Sequence, residues 1–181
     1  RGRVDADVMV IYPASSLWVL IDGNEICEKY ECLEKNRFHS AQYYTDYLSE
    51  MNLHLLRNHV DFEFGCEDII SRYGKIKGSR FIVGDASYGT VILPSLVNIG
   101  KTLFEYLGSF SENGGRIIVL GDLPVLVDGV EMKPSDIRWK NIISLNNWKE
   151  LDNTILKPNL EFETSDPSGK EEILLNTRIV D

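Results

Sequence analysis

The stretch YGTVILPSLVNIGKTLFEYLGSFSENGGRIIVLGDLP, residues 88–124, decides the fold of this chain. Its two apolar runs, Thr90–Leu93 and Arg116–Leu120, have the length and β-branched content of buried strands. Between them apolar residues recur every three or four positions, which predicts a helix over Ile99–Phe110. Gly114 then supplies the left-handed residue that commonly ends a helix. A helix between two buried strands predicts a parallel pair joined by a crossover connection.

The rest of the chain repeats this alternation of strand and helix. Apolar or alternating runs predict strands at Val8–Ile11, Val60–Phe64, Arg80–Val83, Ile142–Leu145, Leu160–Glu163 and Glu172–Ile179. Helical periodicity predicts a long amphipathic helix from Arg37 to about Asn58 and shorter helices at Glu67–Tyr73 and Asn147–Leu156. The hexapeptide GDASYG, residues 84–89, is typical of a turn, and the acidic segment Gly23–Asn36 of an exposed loop or short helical insertion.

This order of elements predicts an α/β fold with a doubly wound, mostly parallel, flavodoxin-like sheet. The sheet and its helices are expected to occupy residues 1–156, and residues 157–181 are expected to form a β-rich tail. The start RGRVDADV lacks an initiator methionine, and the end EEILLNTRIVD reads as a strand without a partner. We therefore expect a piece of a longer chain, in which the tail begins a following β domain.

Composition excludes several function classes. The chain has 181 residues and a net charge of -9, with a pI near 4.9, whereas nucleic acid or an anionic membrane surface would require a basic face. No apolar run approaches the roughly 18 residues that span a bilayer. Three cysteines are too few and too scattered for a disulfide framework, which favours the cytoplasm. Nucleic acid and membranes are therefore not expected partners.

The turn after Thr90–Leu93 has the position of a nucleophile but not its surroundings. A nucleophile elbow needs small residues on both sides, whereas Ser95 stands within Leu-Pro-Ser-Leu-Val. A nucleophile also needs a base, and the histidines, His39, His54 and His59, belong to the long amphipathic helix or its end. We expect no catalytic residue here. The alternative is a self-contained hydrolase or amidotransferase that uses Ser95 or Cys66.

Binding residues are expected at the carboxyl ends of the strands, where open α/β sheets hold their ligands. Trp18, Ser95 and Asp122 follow three of the predicted strands and are the candidate binding residues. Glu67 and Asp68 also follow a strand, but nothing places them opposite Asp122 as a pair of glycosidase carboxylates.

Cofactors and metals are not expected. The stretch YPASSLW after the first strand has no glycine, so it lacks a dinucleotide or flavin phosphate fingerprint, although Ser15 and Ser16 remain candidates for holding an anion. Cys27 and Cys32 have no second Cys or His pair, so a metal site is not predicted. A flavodoxin-type module that binds a small molecule remains a third alternative.

Four stretches in this order resemble a known family: DVMVIYPASSLWVL (7–20), LHLLRNHVDFEFGCEDII (53–70), YGTVILPSLVNI (88–99) and ENGGRIIVLGDLP (112–124). They are similar to the glutamine-amidotransferase-like domain, of flavodoxin-like fold, inside large bacterial glycoside hydrolases. The closest likeness is to alpha-L-rhamnosidase-like proteins, and beta-galactosidase-related enzymes carry a similar domain. In those proteins sugar cleavage belongs mainly to carboxylates of a barrel domain, for which 181 residues leave no room.

The resemblance implies an accessory domain rather than an active site. Such domains generally lack the Cys-His-Glu triad of true glutaminases, and this chain has Leu93-Pro94-Ser95 at the expected elbow and no histidine after His59. The implied parent is a cytoplasmic enzyme that cleaves O-glycosyl bonds. The implied partners are other domains of that chain, a further copy of it in a homo-oligomer, and a carbohydrate, beside which Trp18, Trp139 or Trp148 is a candidate contact.

Overall fold

The computed structural model describes residues 3–21, 41–161, 174 and 177–180. Its strands are β1 (Arg3–Val4), β2 (Val8–Ile11), β3 (Phe62–Gly65), β4 (Gly74–Lys77), β5 (Arg80–Val83), β6 (Ala86–Tyr88), β7 (Thr90–Pro94), β8 (Asn98–Ile99), β9 (Arg116–Leu120), β10 (Leu126–Val127), β11 (Val130–Glu131), β12 (Ile142–Leu145) and β13 (Arg178–Ile179). Its helices are α1 (Ala14–Ile21), α2 (Ala41–Arg57), α3 (Glu67–Tyr73) and α4 (Lys101–Glu112). Single 3₁₀ turns lie at Pro134–Asp136 and Trp148–Glu150.

A five-stranded, all-parallel sheet forms the centre, in the order β3-β2-β7-β9-β12. Counted along the chain, its strands lie in the order second, first, third, fourth, fifth. The pair predicted from residues 88–124 is confirmed, because β7 lies beside β9 in parallel register and α4 connects them. The predicted α/β class and parallel sheet are therefore confirmed.

Both faces of the sheet are buried. On one face Met9, Ile11, Val91 and Val119 pack against apolar side chains of α3 and α4, including Ile70 and Phe110. On the other face the alternate residues of the same strands pack against Leu48, Met51 and Leu55 of α2. The central strands β2, β7 and β9 consequently are almost entirely apolar, since both sides of each pleat meet a core, whereas the edge strands β3 and β12 are only partly buried.

A three-stranded antiparallel sheet, β4-β5-β6, was only partly predicted. The turn expected over residues 84–89 is wrong for Ala86–Tyr88, which is β6, and β4 was not predicted at all. The turns are short because Gly78 and Gly84 adopt positive φ angles of 56° and 59°. Short strands with polar outward positions leave too little periodicity to detect.

The predicted helix over Asn147–Leu156 is a single 3₁₀ turn. Asn147 caps it as expected, because its Oδ1 accepts a hydrogen bond from the Lys149 N–H at 2.9 Å. The helix does not continue because the Asp152 carboxylate accepts the backbone N–H groups of Thr154 (2.9 Å) and Ile155 (3.2 Å). Those N–H groups are therefore withdrawn from helical hydrogen bonding.

The ends of the other elements differ slightly from expectation. Ile99 lies in β8, and α4 starts two residues later, with Gly114 at φ 90° after its end as predicted. Leu160 and Glu161 are not in a strand, so that prediction is wrong for them, and 162–163 lie outside the described residues. In the described part of the tail, β13 pairs antiparallel with β1. The proposed boundary at residue 156 stays a prediction.

Several predictions lie outside the described residues. They concern the segment Gly23–Asn36 with Cys27 and Cys32, the first turn of the predicted long helix, and His39. Within the described part of the chain, no helix has both the length and the apolar character needed to cross a membrane.

Candidate functional site

The carboxyl edge of the parallel sheet is the place to look for a ligand site. After β2 the chain adds β3 on one side of it and later β7 on the other, so the strand order reverses between β2 and β7. Open α/β sheets bind ligands beyond the strand ends at such a reversal. We call the segments that follow these strands, residues 12–16, 66–68, 95–100 and 121–124, the crest.

Ser16 closes the crest at the reversal point. It lies in the first turn of α1 and is 0% exposed. Its Oγ accepts hydrogen bonds from the backbone N–H groups of Val97 (3.0 Å) and Asn98 (3.1 Å). The same hydroxyl donates to the carbonyl of Asn98 at 2.8 Å. A serine hydroxyl has one donor and two acceptor positions, so these three bonds use them all.

Tyr44 covers the same segment from the side of α2. Its side chain is fully buried, and its hydroxyl donates a hydrogen bond to the carbonyl of Ser95. Burial raises the pKa of the Tyr44 hydroxyl above its ordinary value, so the group stays protonated as a donor. Because Leu96 and Val97 are buried beneath it, the loop after β7 exposes neither its backbone nor its side chains to a ligand.

Glu67 lies at the amino ends of two helices, which are a second place where such a sheet could bind a ligand. Its Oε1 accepts the N–H of Ser15 at 3.3 Å, and its Oε2 accepts the N–H of Gly100 at 2.7 Å. These N–H groups belong to the amino ends of α1 and α4, and Glu67 itself begins α3. Helix amino ends attract anions through free N–H groups and the helix dipole. A carboxylate of the chain therefore lies where a phosphate would be expected.

Gly100 makes this contact possible. A Cβ atom at residue 100 would lie 2.7 Å from Glu67 Oε2, well inside van der Waals contact. The φ of Gly100 is -66°, so its backbone conformation alone would accept any residue. A side chain at residue 100 would therefore displace the Glu67 carboxylate from its present position.

The β10–β11 hairpin completes the closure. Its two-residue turn, Asp128-Gly129, has φ angles of 48° and 74°, which match a type I′ turn. Asp128 Oδ1 accepts the N–H of Lys101 at 3.1 Å, and Asn98 Oδ1 accepts the N–H of Gly129 at 3.0 Å. The hairpin thus caps the amino end of α4 and is held to the loop after β7.

A cavity of about 250 Å³ remains beside Glu67. Its lining residues include Glu67, Asp68, Asp128 and Lys101. Three acidic residues against one basic residue make this cavity unfavourable for a phosphate. Among the described residues, no group of His, Cys, Asp and Glu side chains could hold a metal ion.

The three predicted binding residues do not form one exposed site. Trp18 is 71% exposed on α1, and Asp122 is exposed after β9. Ser95 is only 1% exposed, and it lies beside Gly121, where an added Cβ would be 3.2 Å from the Ser95 Cβ. A ligand cannot touch Ser95 in this conformation. Binding by Trp18 and Asp122 stays a prediction.

The residues that define the crest were not singled out together by the sequence. Ser16 was only a candidate for holding an anion, and Glu67 only a strand-end carboxylate. The sequence offered two separate signals: an acidic residue, Glu67, in the first turn of one helix and a glycine, Gly100, at the start of another. Pairing the two positions requires the sheet order, which one sequence does not supply.

Among the described residues, neither nucleophile candidate has a histidine near it. Within that part of the chain, the buried Ser95 hydroxyl has no hydrogen-bond partner. His54 lies ten residues down α2 from Tyr44, about 15 Å along the helix axis. His59 precedes the amino end of β3, whereas Cys66 follows its carboxyl end, and four strand residues span about 13 Å. These two histidines are therefore remote from Ser95 and Cys66.

Comparisons with known proteins show limited likeness. No family model matches the chain, and no curated protein sequence matches it. Two solved structures are similar, both of Gan42B, a GH42 beta-galactosidase. A catalytic mutant of Gan42B from G. stearothermophilus is 14% identical, with a TM-score of 0.48 over 72% of this chain and 16% of that chain. The second is 14% identical, with a TM-score of 0.47 over 71% of this chain and 15% of that chain. The chain thus spans about a sixth of the length of these structures.

Proposed function

We propose that this chain is a non-catalytic accessory domain, of the flavodoxin-like and glutamine-amidotransferase-like type, in a cytoplasmic carbohydrate-degrading enzyme. Its task is to pack against other domains or subunits of that enzyme. One observation supports a non-catalytic role: Ser16 and Glu67 close the crest. Both positions at which such a sheet would hold a ligand are filled by side chains of the chain itself.

The strand order supports the finer description of the fold. Doubly wound sheets of flavodoxin type run second, first, third, fourth, fifth, as the central sheet does here. The amidotransferase-like part rests on the four sequence stretches and on Leu93-Pro94-Ser95 at the expected elbow. The assignment to a glycoside hydrolase parent rests on the order of the same stretches, and the cytoplasm on the sparse cysteines.

An accessory role is consistent with the surface of the domain. Large apolar side chains remain exposed on several elements: Tyr12, Trp18, Phe64, Ile69 and Tyr73. Aromatic side chains are enriched at protein contacts, because they bury a large area at a small cost in conformational entropy. The exposed aromatic residues after β2 and on β3 are thus suited to contact a neighbouring domain.

Turnover and covalent labelling test the proposal. We expect the purified chain to hydrolyse neither p-nitrophenyl α-L-rhamnoside nor p-nitrophenyl β-D-galactoside above the buffer rate. We also expect a fluorophosphonate probe to leave Ser95 unlabelled, since its hydroxyl is buried and has no hydrogen-bond partner among the described residues. Turnover that disappears in Ser95→Ala or Cys66→Ala would contradict the proposal and support the hydrolase alternative.

A further inference from the structure

A groove on the flank of α2 lies apart from the crest. Its volume is about 530 Å³. Its walls come from the second half of α2 and from the 3₁₀ turn at Trp148–Glu150, and its lining residues are Glu50, Leu53, His54, Arg57, Asn58, Trp148 and Lys149. None of these residues belongs to the crest segments, so the groove does not depend on whether the crest is closed.

The indole ring of Trp148 is a fixed wall of the groove. It is half-buried and packs against the second core cluster. The imidazole ring of His54 lies 5.2 Å from it at an angle of 55°, and His54 Nε2 donates a hydrogen bond to the Leu151 carbonyl at 2.7 Å. The Asn147 side chain caps the turn that carries Trp148. The ring is therefore already held in place, and a ligand would not have to order it.

The charged groups of the groove favour one negative charge. Arg57 and Lys149 are exposed, and within the described part of the chain neither forms an ion pair. Lys149 Nζ lies over the Trp148 ring, 5.3 Å from its centre, so a ligand ring stacked on this face would displace the ammonium towards the ligand's anionic group. Glu50 is the acidic group of the lining, so two cations face one carboxylate. This excess of one positive charge occurs in a chain of net charge -9.

These groups together restrict the class of ligand. A purely apolar molecule would remove water from Arg57, Lys149 and Glu50 without replacing their hydrogen bonds. A polyanion would meet the carboxylate of Glu50. Asn58 Nδ2 already donates to the His54 carbonyl at 2.9 Å, which leaves its Oδ1 to accept a ligand hydroxyl. A ligand with one apolar ring face, several hydroxyl groups and one anionic group uses the indole, this amide oxygen and both cations.

We propose that this groove binds a sugar ring that carries one anionic group, with the ring against Trp148 and the anion between Arg57 and Lys149. The carboxylate of a uronic acid and the phosphate of a sugar phosphate share this chemistry. The proposal goes beyond the accessory role, because it assigns a ligand to a surface outside the crest.

Calorimetric titration of the purified chain tests this site. The probes are galacturonate, glucose 6-phosphate, neutral galactose and inorganic phosphate. We expect saturable binding of galacturonate, glucose 6-phosphate or both, with the pattern between these two identifying the source of the anion. Galactose lacks the anionic group and inorganic phosphate lacks the sugar ring. Each is therefore expected to bind at least tenfold more weakly than the anionic sugars.

Substitutions test whether the ligand binds in the groove. Arg57→Gln and Lys149→Gln are each expected to weaken binding about tenfold, since each removes a charge-assisted hydrogen bond. Trp148→Ala is expected to abolish it. Lys77→Gln, an equal charge change on exposed β4, and Trp18→Ala, on exposed α1, are matched controls expected to bind as the wild type does.

Three results would overturn the proposal. One is the absence of saturable binding of both anionic sugars at millimolar concentration. Another is galactose or inorganic phosphate binding as tightly as those sugars. The third is equal binding by Arg57→Gln, Lys149→Gln and the Lys77→Gln control. Because the two glutamine substitutions change exposed side chains, their folding is expected to be unaffected, and circular dichroism spectra verify it.

Discussion

Ser16 and Ser95 are both buried at the crest, but their hydroxyl groups have opposite surroundings. The Ser16 hydroxyl makes three hydrogen bonds to the loop after β7, whereas the Ser95 hydroxyl makes none within the described part of the chain. A buried hydroxyl stabilises the folded state only when it has partners, because burial removes it from water. Of the two, Ser16 is therefore the structural residue, although Ser95 has the position of a nucleophile.

Substitution of Ser16 is expected to destabilise the fold. Ser16→Ala leaves the N–H groups of Val97 and Asn98 without their partner, so the free energy of unfolding should fall by about 2 kcal/mol. Urea denaturation measures this change. Ser15→Ala is the matched control, because Ser15 contributes its backbone N–H to Glu67 and keeps it after substitution. An equal loss in both variants would contradict the role given to the Ser16 hydroxyl.

Substitution of Ser95 is expected to be harmless. Ser95→Ala removes a buried hydroxyl that has no partner, so the free energy of unfolding should stay constant or rise by up to about 1 kcal/mol. The same denaturation experiment checks it. A clear loss of stability would show that the hydroxyl has a partner in solution.

Tyr44 and Tyr88 make stability dependent on alkaline pH. Burial raises the pKa of both hydroxyls, and the neighbouring Glu63 carboxylate raises that of Tyr88 further. A raised pKa in the folded state means that stability is complete below the unfolded value near 10 and falls above it, by about 1.4 kcal/mol per pH unit and group. Tyr44→Phe or Tyr88→Phe should reduce this slope relative to the wild-type chain. Urea denaturation as a function of pH measures the slopes, and wild-type slopes in both variants would contradict this account.

At the scale of elements, two glycines differ in how much the fold needs them: one inside α4 and one after β9. Gly108 lies inside the helix, and an added Cβ would meet Trp139 at an ordinary 3.7 Å. Gly121 follows β9 at φ 92°, and an added Cβ would lie 3.2 Å from the Ser95 Cβ. The sequence does not show this difference between Gly108 and Gly121, because it depends on which residues lie next to each glycine in the folded chain.

Alanine substitution separates these two glycines. Gly108→Ala should raise the free energy of unfolding by about 1 kcal/mol, because alanine has the higher helix propensity. Gly121→Ala should lower it by about 1–2 kcal/mol, because a positive φ is unfavourable for alanine and Ser95 is close. Thermal denaturation shows both changes. A loss of stability in Gly108→Ala would mean that the space beside Trp139 is smaller than described.

The elements that were predicted correctly have strong local signals. The strand β9 and the helix α3 have the predicted bounds, because β-branched runs and first-turn acidic residues identify them. The strands β4 and β6 and the short helix after Asn147 were mispredicted, whereas β5 has the predicted bounds. Strands of three or four residues have little periodicity, and the Asp152 side chain competes for backbone N–H groups. The crest depends on long-range pairs such as Glu67 with Gly100, which no local pattern contains.

At the scale of the whole molecule, both faces of the central sheet are covered, and the edge at which such sheets bind ligands is closed. Three separate segments take part in the closure: α1 through Ser16, α3 through Glu67 and the β10–β11 hairpin through Asp128. The surface that remains for contacts consists of exposed aromatic residues near β3 and the groove beside Trp148. The proposed accessory role would use this surface for contacts with other domains.

The most direct test is an NMR titration of the crest amides of the wild-type chain with inorganic phosphate and with flavin mononucleotide. The account predicts that the resonances of Val97, Asn98 and Gly100 stay unchanged at millimolar concentrations, because Ser16 and Glu67 already bind those N–H groups. Saturable shifts of these resonances with either compound would show an open ligand site at the crest and contradict the central claim.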